Sequence, residues 1–354
     1  MSVYFNKNLN NLQPYTPGEQ PQGGVSYIKL NTNESPYPPS GKIGYSTEHK
    51  KLRLYPDPEC TDLCAEIARV DGVTPDNVLP VNGSDEALAF AFAAFGEKGA
   101  IFPDVTYGFY KVFAELFGVK YKQIPLNGDF TVNPADYIGK GKTVILANPN
   151  AQTGIYLPLT EIEKIVAGNP KNVVVIDEAY IDFGGESAVK LINKYKNLLV
   201  VRTFSKSRNL AGARVGYAMA DIGLIADLKR IKYSFNPYNV NRLSAKIATA
   251  ALKDGAYFDK CRRKIIATRA KLVDGLKSLR FSVLPSLANF VMAQSTAISG
   301  QQLYLKLKDE GFLVRHFDDE RIRNFVRITV GTDAQIKALL KAIEKILENG
   351  NEKG

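Results

Sequence analysis

One lysine of this sequence lies where its amine could act as a nucleophile. Lys206 follows the continuously apolar run 198–201, which predicts a buried strand. A lysine just past a buried strand can lose its hydration and become nucleophilic, as the formation of a Schiff base requires. Thr203, Ser205 and Arg214 lie near it in sequence, and their hydroxyl and guanidinium groups could bind a phosphate dianion. An ordinary surface lysine is the alternative.

A carboxylate stands at a similar point one strand earlier. Asp177 ends the apolar run 173–176, and a charge at the end of a buried strand costs several kcal/mol unless a cation meets it. A pyridinium nitrogen would be such a cation, and Asp177 would keep it protonated, so that the ring becomes an electron sink. Tyr180 could then bond the phenolic oxygen of the ring. For Asp177, the alternative is a role as a helix cap. For Lys206, the spacing from Asp177 argues against an ordinary surface lysine.

Two turns complete this set of features. The turn 82–85 (Asn-Gly-Ser-Asp) precedes a helical segment, and a glycine-containing turn at a helix N-terminus offers free N–H groups to a phosphate. Taken alone, it is better explained as an ordinary N-cap by Ser84. The turn 148–154 (Asn-Pro-Asn-Ala-Gln-Thr-Gly), taken alone, is an ordinary turn rich in Pro and Gly. The four features gain weight because each follows a predicted strand.

Alternating strands and helices must position these features. Strands are predicted at 78–81, 100–102, 143–147, 173–176 and 198–201. Helices are predicted at 61–70, 85–95 and around 110–117, and a capping box at Thr160 to Glu163 predicts the start of another. This alternation is typical of a mostly parallel sheet with helices on both faces. Ligands of such sheets bind at the carboxyl ends of the strands.

The pattern changes after about residue 241. Two helices precede a strand near Phe290, and capping boxes at Ser299 and Thr332 predict two further helices. Strands are predicted at 312–315 and 325–330. This order indicates a smaller α+β domain. We therefore predict three parts, namely an N-terminal arm (1–40) that packs with the small domain and a partner subunit, a large domain (41–245) and a small C-terminal domain (246–354).

Composition argues against several other classes of protein. The 354 residues carry 46 basic and 36 acidic side chains, so the net charge is 46 − 36 = +10. The densest basic cluster, 260–264, has no nucleic-acid-binding motif beside it, and we interpret it as a solvated helix face. Three cysteines and two histidines predict free thiols in a reducing cytoplasm and no metal site. No apolar run reaches the ~20 residues of a membrane span.

Together the four features resemble the cofactor motifs of the fold-type I pyridoxal-phosphate (PLP) enzymes, and the resemblance covers nearly the whole chain. It implies an α/β large domain with a mostly parallel seven-stranded sheet and a smaller α+β domain. Lys206 would carry the Schiff base, Asp177 would pair with the pyridine nitrogen, and Tyr180 and Asn148 would contact the ring oxygen. The other implied cofactor contacts are Ser84, Asp85, Thr203, Ser205 and Arg214 at the phosphate, Tyr107 stacked on the ring, and Tyr55 reaching the phosphate of the neighbouring subunit in a homodimer.

Three further stretches are similar to the histidinol-phosphate aminotransferases within this family, namely 12–18, 31–36 and 326–332. The implied reaction interconverts L-histidinol phosphate and 2-oxoglutarate with imidazole-acetol phosphate and L-glutamate. The implied substrate contacts are Arg327, which would bind a carboxylate or the phosphate, Arg315 as a second phosphate ligand, Asn148, and Tyr15 from the partner subunit. Two guanidinium groups suit a phosphate dianion, which needs more than one positive partner.

Several alternatives stay open. A threonine-phosphate decarboxylase or an aromatic amino-acid aminotransferase would use the same scaffold. A PLP-binding transcriptional regulator would need a DNA-binding module, and the residues before the predicted large domain lack helix-turn-helix periodicity. A catalytically inactive binding protein would be expected to lose Lys206. Arg315 and Arg327 could be residues at the rim of an amphipathic sheet, and Gln152, where the family's turn has a proline, leaves the rigidity of that turn open.

Overall fold

Strands and helices alternate along the part of the chain that the computed structural model describes, residues 9, 12–20, 26–42 and 51–351. Its strands are β1 (Ile28–Lys29), β2 (Val78–Val81), β3 (Ala100–Pro103), β4 (Tyr121–Ile124), β5 (Thr143–Ala147), β6 (Val174–Asp177), β7 (Leu198–Thr203), β8 (Gly216–Ala220), β9 (Ser282–Val283), β10 (Phe290–Gln294), β11 (Phe312–Leu313), β12 (Arg315–His316) and β13 (Phe325–Thr329). Its α-helices are α1 (Thr61–Asp71), α2 (Ser84–Phe95), α3 (Phe109–Leu116), α4 (Leu159–Ala167), α5 (Ile222–Phe235), α6 (Arg242–Lys253), α7 (Gly255–Ser278), α8 (Gly300–Asp309) and α9 (Asp333–Asn351).

Seven strands form the central sheet, in the spatial order β2-β8-β7-β6-β5-β3-β4. Each neighbouring pair is parallel except the two pairs that involve β8. The strands β6 and β7 lie side by side, with Asp177 opposite Val201. Their carboxyl ends, and the residues that follow them, therefore meet at one edge of the sheet. The prediction of a mostly parallel seven-stranded sheet is confirmed.

Helices cover both faces of this sheet. Val174 and Ile176 of β6 belong to one core cluster together with α1 and α4, whereas Val175 belongs to another together with α2, α3 and α5. Successive side chains of a strand point to opposite faces. A continuous apolar run such as 174–176 is therefore what a sheet covered on both faces requires.

The sequence patterns do not predict β4, β8 and α5. The strand β4 (Tyr-Lys-Gln-Ile) lies at the edge of the sheet, and Ile124 is its one fully buried residue. The strand β8 (Gly-Tyr-Ala-Met-Ala) is built mostly from small residues of low strand propensity. Both strands therefore depend on pairing with neighbours that are distant in sequence.

Helix starts were predicted with mixed success. The side chains of Ser299 and Thr332 accept backbone hydrogen bonds at the starts of α8 and α9, as expected. The predicted capping box at Thr160 is wrong, because α4 already begins one residue earlier. The carbonyl oxygen of Pro158 accepts the N–H of Glu161 at 2.9 Å and so opens the helix without a side-chain cap.

A second, antiparallel sheet follows α7, with the strand order β12-β13-β10-β9. It packs with α7, α8 and α9 around a separate core cluster. The predicted strand 312–315 is in fact two strands. Of these, β11 pairs in parallel with β1 of the N-terminal segment, and β12 pairs with β13. The N-terminal segment is thereby tied to the C-terminal part of the chain.

The helix α6 belongs to the core of the central sheet. Ala248, Ala251 and Leu252 lie in the same cluster as α1 and α4. The predicted boundary between residues 245 and 246 falls inside α6. The division of the chain into three parts stays a prediction.

Candidate active site

A cavity of about 340 Å³ opens at the carboxyl ends of β6 and β7. This is where open α/β sheets bind their ligands. The residues singled out in the sequence that line it are Ser84, Asp85, Tyr107, Asp177, Tyr180, Thr203, Ser205, Lys206 and Arg214. Its other lining residues are Thr32, Glu34, Ala151, Ala179, Ala211 and Gly212. The tertiary structure thus brings most of the predicted cofactor residues together.

Lys206 lies in the turn that follows β7. The Oγ1 of Thr203 accepts a backbone N–H of this turn at 3.1 Å, which helps to bend the chain after the strand. The Nζ of Lys206 donates to the carbonyl oxygen of Thr32 at 3.1 Å and lies 5.9 Å from the centroid of the Tyr180 ring. Burial, assisted by the positive charge of Arg327, lowers the pKa of Lys206 to about 8. Its amine is therefore neutral more often than that of an exposed lysine.

Asp177 is buried at the end of β6. One of its carboxylate oxygens accepts a hydrogen bond from the hydroxyl of Tyr110 at 2.9 Å, and the other accepts the N–H of Ala179 at 3.2 Å. Burial raises the pKa of Asp177 to about 6, although both hydrogen bonds act in the opposite direction. Its two direct partners within the described residues are thus neutral. A cationic ligand would compensate this buried carboxylate.

Tyr110 is a site residue that the sequence reasoning missed. It is fully buried in α3, where its ring packs edge-on against Phe102 and Tyr107. Burial raises the pKa of Tyr110 well above its ordinary value, so that the phenol stays protonated and donates to Asp177. No local signal distinguishes it from the other aromatic residues of the segment 107–113.

The N-terminus of α2 forms the other end of the cavity. The helix begins at Ser84, so the cap is Gly83, with a φ of +74°, and not Ser84. This positive φ, combined with a ψ of 157°, is a backbone conformation that residues other than glycine rarely adopt, which explains why glycine is needed there. Arg214 forms an ion pair with Asp85 at 3.2 Å, and its Nη1 lies 3.5 Å from the hydroxyl of Ser205. Helix N–H groups, a guanidinium and hydroxyls together suit a phosphate dianion.

Aromatic side chains border the cavity. The hydroxyl of Tyr107 donates to Asp85 at 2.7 Å, and burial raises the pKa of Tyr107 well above its ordinary value. Tyr15 stacks on Phe109 with 4.3 Å between ring centroids and lies 6.1 Å from Tyr107. Its expected role in the site of a partner subunit stays a prediction. Within its own chain, Tyr15 lies near the cavity. The guanidinium of Arg315 holds it there by donating to the next two carbonyl oxygens, at 3.1 and 3.2 Å.

Arg327 lies directly opposite Arg315 in the paired strands β13 and β12. Its Nη1 donates to the carbonyl oxygen of Ala151 at 3.0 Å and to Oε1 of Gln152 at 3.1 Å, and its Nη2 donates to the carbonyl oxygen of Asn31 at 3.4 Å. All three acceptors are neutral, and within the described residues the buried Nε has no partner. Burial lowers the pKa of Arg327. Such a guanidinium is suited to bind an anion.

The structure does not bring Asn148 to the cavity. Its side chain is buried and serves both backbone groups of Leu157: Nδ2 donates to the carbonyl oxygen at 3.0 Å, and Oδ1 accepts the N–H at 2.7 Å. Ala151 reaches the cavity from this turn instead. The expected contacts of Asn148 with the ring oxygen and the substrate are therefore corrected, because its hydrogen-bonding groups are engaged in closing the turn.

Tyr55 also lies away from this cavity. Its side chain is 76% exposed and stacks on Tyr238, with 4.5 Å between ring centroids. Its expected contact with the phosphate of a partner subunit stays a prediction.

Asn33 is a second residue that the sequence reasoning left without a role. Its Nδ2 donates to the hydroxyl of Tyr180 at 3.1 Å, and its Oδ1 accepts the hydroxyl of Thr329 at 3.0 Å. Its φ of +55° lies in the left-handed region, which asparagine adopts more readily than most residues. Asn33 thereby links Tyr180, at the end of β6, to the strand β13.

Within the described residues, no helix combines the length and the apolar character that crossing a membrane requires. Among them no three His, Cys, Asp or Glu side chains are grouped as metal ligands would be. Cys60, Cys64 and Cys261 are free thiols and are buried.

Known proteins resemble the chain over almost its whole length. The family model described as "Aminotransferase class I and II" matches residues 25–343. A histidinol-phosphate aminotransferase of Brachyspira hyodysenteriae is 47% identical over 99% of this chain and 100% of its own length. Histidinol-phosphate aminotransferase 2 of Rhizobium meliloti is 50% identical over 98% and 100%. The crystal structure of histidinol-phosphate aminotransferase from Sinorhizobium meliloti in complex with pyridoxal-5'-phosphate shares the fold, with a TM-score of 0.83 at 24% identity over 92% of both chains. The chain therefore belongs to the aminotransferase class I and II family.

Proposed function

We propose that this chain is a PLP-dependent aminotransferase that interconverts L-histidinol phosphate and 2-oxoglutarate with imidazole-acetol phosphate and L-glutamate. The observation that carries the proposal is the single cavity shared by Lys206, Asp177 and Arg214. These side chains offer an amine of lowered pKa, a buried carboxylate and a guanidinium at a helix N-terminus. Full-length relatives named for this activity support the choice of substrate.

The cavity residues fit PLP. Asp177 is a buried carboxylate whose direct partners are neutral, and a protonated ring nitrogen would supply the positive charge that it needs. Arg214 and Ser205 lie beside the N-terminus of α2, where the cofactor phosphate would be held. When bound, PLP supplies an electron sink for the negative charge that develops on the substrate's Cα.

The task of Lys206, besides holding the cofactor, is to move a proton. A neutral Nζ can accept the proton from the substrate's Cα, and a pKa of about 8 suits a general base that works near neutral pH. The carbonyl oxygen of Thr32 keeps this amine inside the cavity. Tyr180, held by Asn33, would donate its hydroxyl proton to the oxygen of the cofactor ring.

The substrate's anionic groups would bind at Arg327. Its charge has no carboxylate partner within the described residues, so it can accept the carboxylate of L-glutamate or the phosphate of L-histidinol phosphate. Arg315 lies opposite Arg327 in the neighbouring strand, and Tyr15 lies beside the cavity. We propose that these two side chains complete the phosphate site.

A homodimer in the cytoplasm is part of the proposal. Leu52, Leu54, Tyr55 and Phe235 are exposed apolar side chains, and exposed apolar surface is typical of a subunit interface. In a dimer, Tyr55 would reach the cofactor phosphate of the partner. The buried free thiols suit a reducing compartment.

Amino transfer itself tests the proposal. Protein loaded with PLP should form L-glutamate from 2-oxoglutarate when L-histidinol phosphate is the amino donor. The variant Lys206→Ala should still bind PLP but should transfer amino groups at least about 1000-fold more slowly, because it lacks the proton-transferring amine. Unchanged turnover in this variant would contradict the mechanism.

Two alternative activities can be distinguished in the same experiment. Release of carbon dioxide from threonine phosphate, without glutamate formation from L-histidinol phosphate, would identify a decarboxylase. Faster transfer from phenylalanine than from L-histidinol phosphate would identify an aromatic aminotransferase.

A further inference from the structure

The turn after β5 departs from the family pattern at Gln152, where a proline is usual. The N–H of Gln152 donates to Oδ1 of Asn150 at 2.8 Å, and the N–H of Thr153 donates to the same oxygen at 3.0 Å. The N–H of Gly154 donates to the carbonyl oxygen of Asn150 at 2.9 Å. Asn150 therefore closes this turn without the help of a proline. The side chain at position 152 can serve another purpose.

That side chain contacts the proposed anion site. Oε1 of Gln152 accepts a hydrogen bond from Nη1 of Arg327 at 3.1 Å. With a proline at this position, Nη1 would keep only the carbonyl oxygen of Ala151, at 3.0 Å, as an acceptor within the described residues. The rings of Phe290 and Phe317 lie 5.1 and 5.2 Å from the guanidinium carbon and restrict it further. The amide of Gln152 thus adds a side-chain contact to the backbone acceptors and aromatic rings that surround the guanidinium.

The neutrality of this contact matters for binding. A carboxamide oxygen orients the guanidinium of Arg327 and leaves its positive charge uncompensated. A carboxylate in the same place would neutralise that charge and repel an incoming anion. An arginine that is already oriented also loses less conformational freedom when it binds its ligand.

We propose that Gln152 is a positioning residue that holds Arg327 in place for the anionic group of the substrate, a carboxylate or a phosphate. This inference rests on the proposed function of Arg327 as the anion site. It also gives a role to the residue by which this turn departs from the family pattern.

Binding of succinate to the PLP-loaded protein tests this inference, because this dicarboxylate has no amino or keto group and cannot react. Calorimetry should show about 5-fold weaker binding to Gln152→Met, which keeps the length of the side chain and loses the acceptor. Gln152→Glu should weaken binding by at least about 10-fold, because it neutralises the guanidinium. The loss in Gln152→Glu should shrink as the pH falls toward the range in which the new carboxylate is protonated.

Kinetics and a matched control distinguish a loss of arginine positioning in the Gln152 variants from general damage to the fold. In both variants the KM for L-glutamate should rise more than kcat falls. Gln123→Met alters a surface glutamine of the edge strand β4 and should change neither quantity. Thermal melting identifies any variant that fails to fold, in which case the other variant decides.

Two results would distinguish this inference from the proposed function. If succinate binds Gln152→Met and Gln152→Glu as tightly as the unaltered protein, while Arg327→Met loses binding, Gln152 does not position the arginine and the inference is overturned. If Arg327→Met binds succinate normally, the assignment of Arg327 as the anion site fails.

Discussion

The two ends of the active site are constructed differently. At the cofactor end, Asp177 and Lys206 lie at or just after the ends of neighbouring strands of one sheet, and Ser84 lies at the start of α2. At the substrate end, Arg327 contacts the N-terminal segment through Asn31 and the turn after β5 through Gln152, although all three are far apart in sequence. Cofactor chemistry is therefore fixed by one sheet, whereas substrate recognition depends on how separate segments pack.

The partners at the two ends also differ in charge. At the cofactor end, Arg214 is paired with the carboxylate of Asp85. At the substrate end, the partners of Arg327 are neutral oxygens. The positive charge of Arg327 nevertheless acts on Lys206, since it is the second cause, after burial, of the lowered pKa of that lysine. The two ends are thus built from different segments, but the charge at the substrate end affects the pKa of Lys206 at the cofactor end.

The largest effect is expected at the cofactor end. Asp177→Asn keeps the shape of the side chain and removes the charge that would hold the ring nitrogen protonated. We expect kcat to fall by about 100-fold or more, as for the loss of one preorganised electrostatic contact. Steady-state kinetics and the affinity for PLP would measure it.

Tyr110→Phe provides the matched comparison, because it removes the hydrogen bond to Asp177 and keeps the carboxylate. Its kcat should fall far less. If the two variants lose activity equally, the charge of Asp177 is not the group that matters.

The lowered pKa of Lys206 should make the rate of PLP capture depend on pH. We expect this effect to be smaller than that of Asp177→Asn. The neutral amine of Lys206 must react with the aldehyde of PLP, and a pKa of about 8 leaves about a tenth of the molecules neutral at pH 7. Because the lysine loses its proton as the pH rises, the rate of PLP capture by the cofactor-free protein should increase about 10-fold between pH 7 and pH 9 and then level off. Stopped-flow absorbance would follow this rate.

Removal of the positive charge of Arg327 should shift the pH dependence of PLP capture. Without the positive charge of Arg327, protonation of Lys206 is less unfavourable, so Arg327→Met should move the midpoint to higher pH. A midpoint that stays in place would show that the two ends are independent.

The smallest effect is expected from Arg315. Its guanidinium holds the segment that carries Tyr15 through two carbonyl oxygens on the exposed side of the site. Arg315→Met should raise the KM for L-histidinol phosphate by about 5-fold, with little change in kcat. Arg323→Met, at an exposed arginine of the neighbouring loop, is the control. An unchanged KM would contradict the place of Arg315 in the phosphate site.

Much of the fold could be predicted because local patterns carry it. The buried strands around Val174 and Leu198 are continuous apolar runs, and their pairing follows from the alternation of strands and helices. The edge strand β4 and the strand β8 could not be predicted, because their residues acquire strand geometry from neighbours distant in sequence.

The residues of the candidate site could likewise be predicted only where local patterns carry them. Asp177 could be predicted because it directly follows an apolar run, and Lys206 because it lies a few residues past one. Asn148 was misplaced, since its position in a family-like turn does not reveal that Leu157 occupies its amide. Tyr110 was missed because nothing in the local sequence distinguishes it from other core aromatics of α3.

By itself, the sequence determined most of the order of strands and helices, the placement of Asp177 and Lys206 near strand ends, and the family resemblance, because these depend on neighbours along the chain. Only the tertiary structure decided that Tyr110 bonds Asp177, that Asn33 bonds Tyr180, and that Gln152 holds Arg327. The physical reason is that a hydrogen bond depends on distances of about 3 Å. Only packing sets such distances between residues that are remote in sequence.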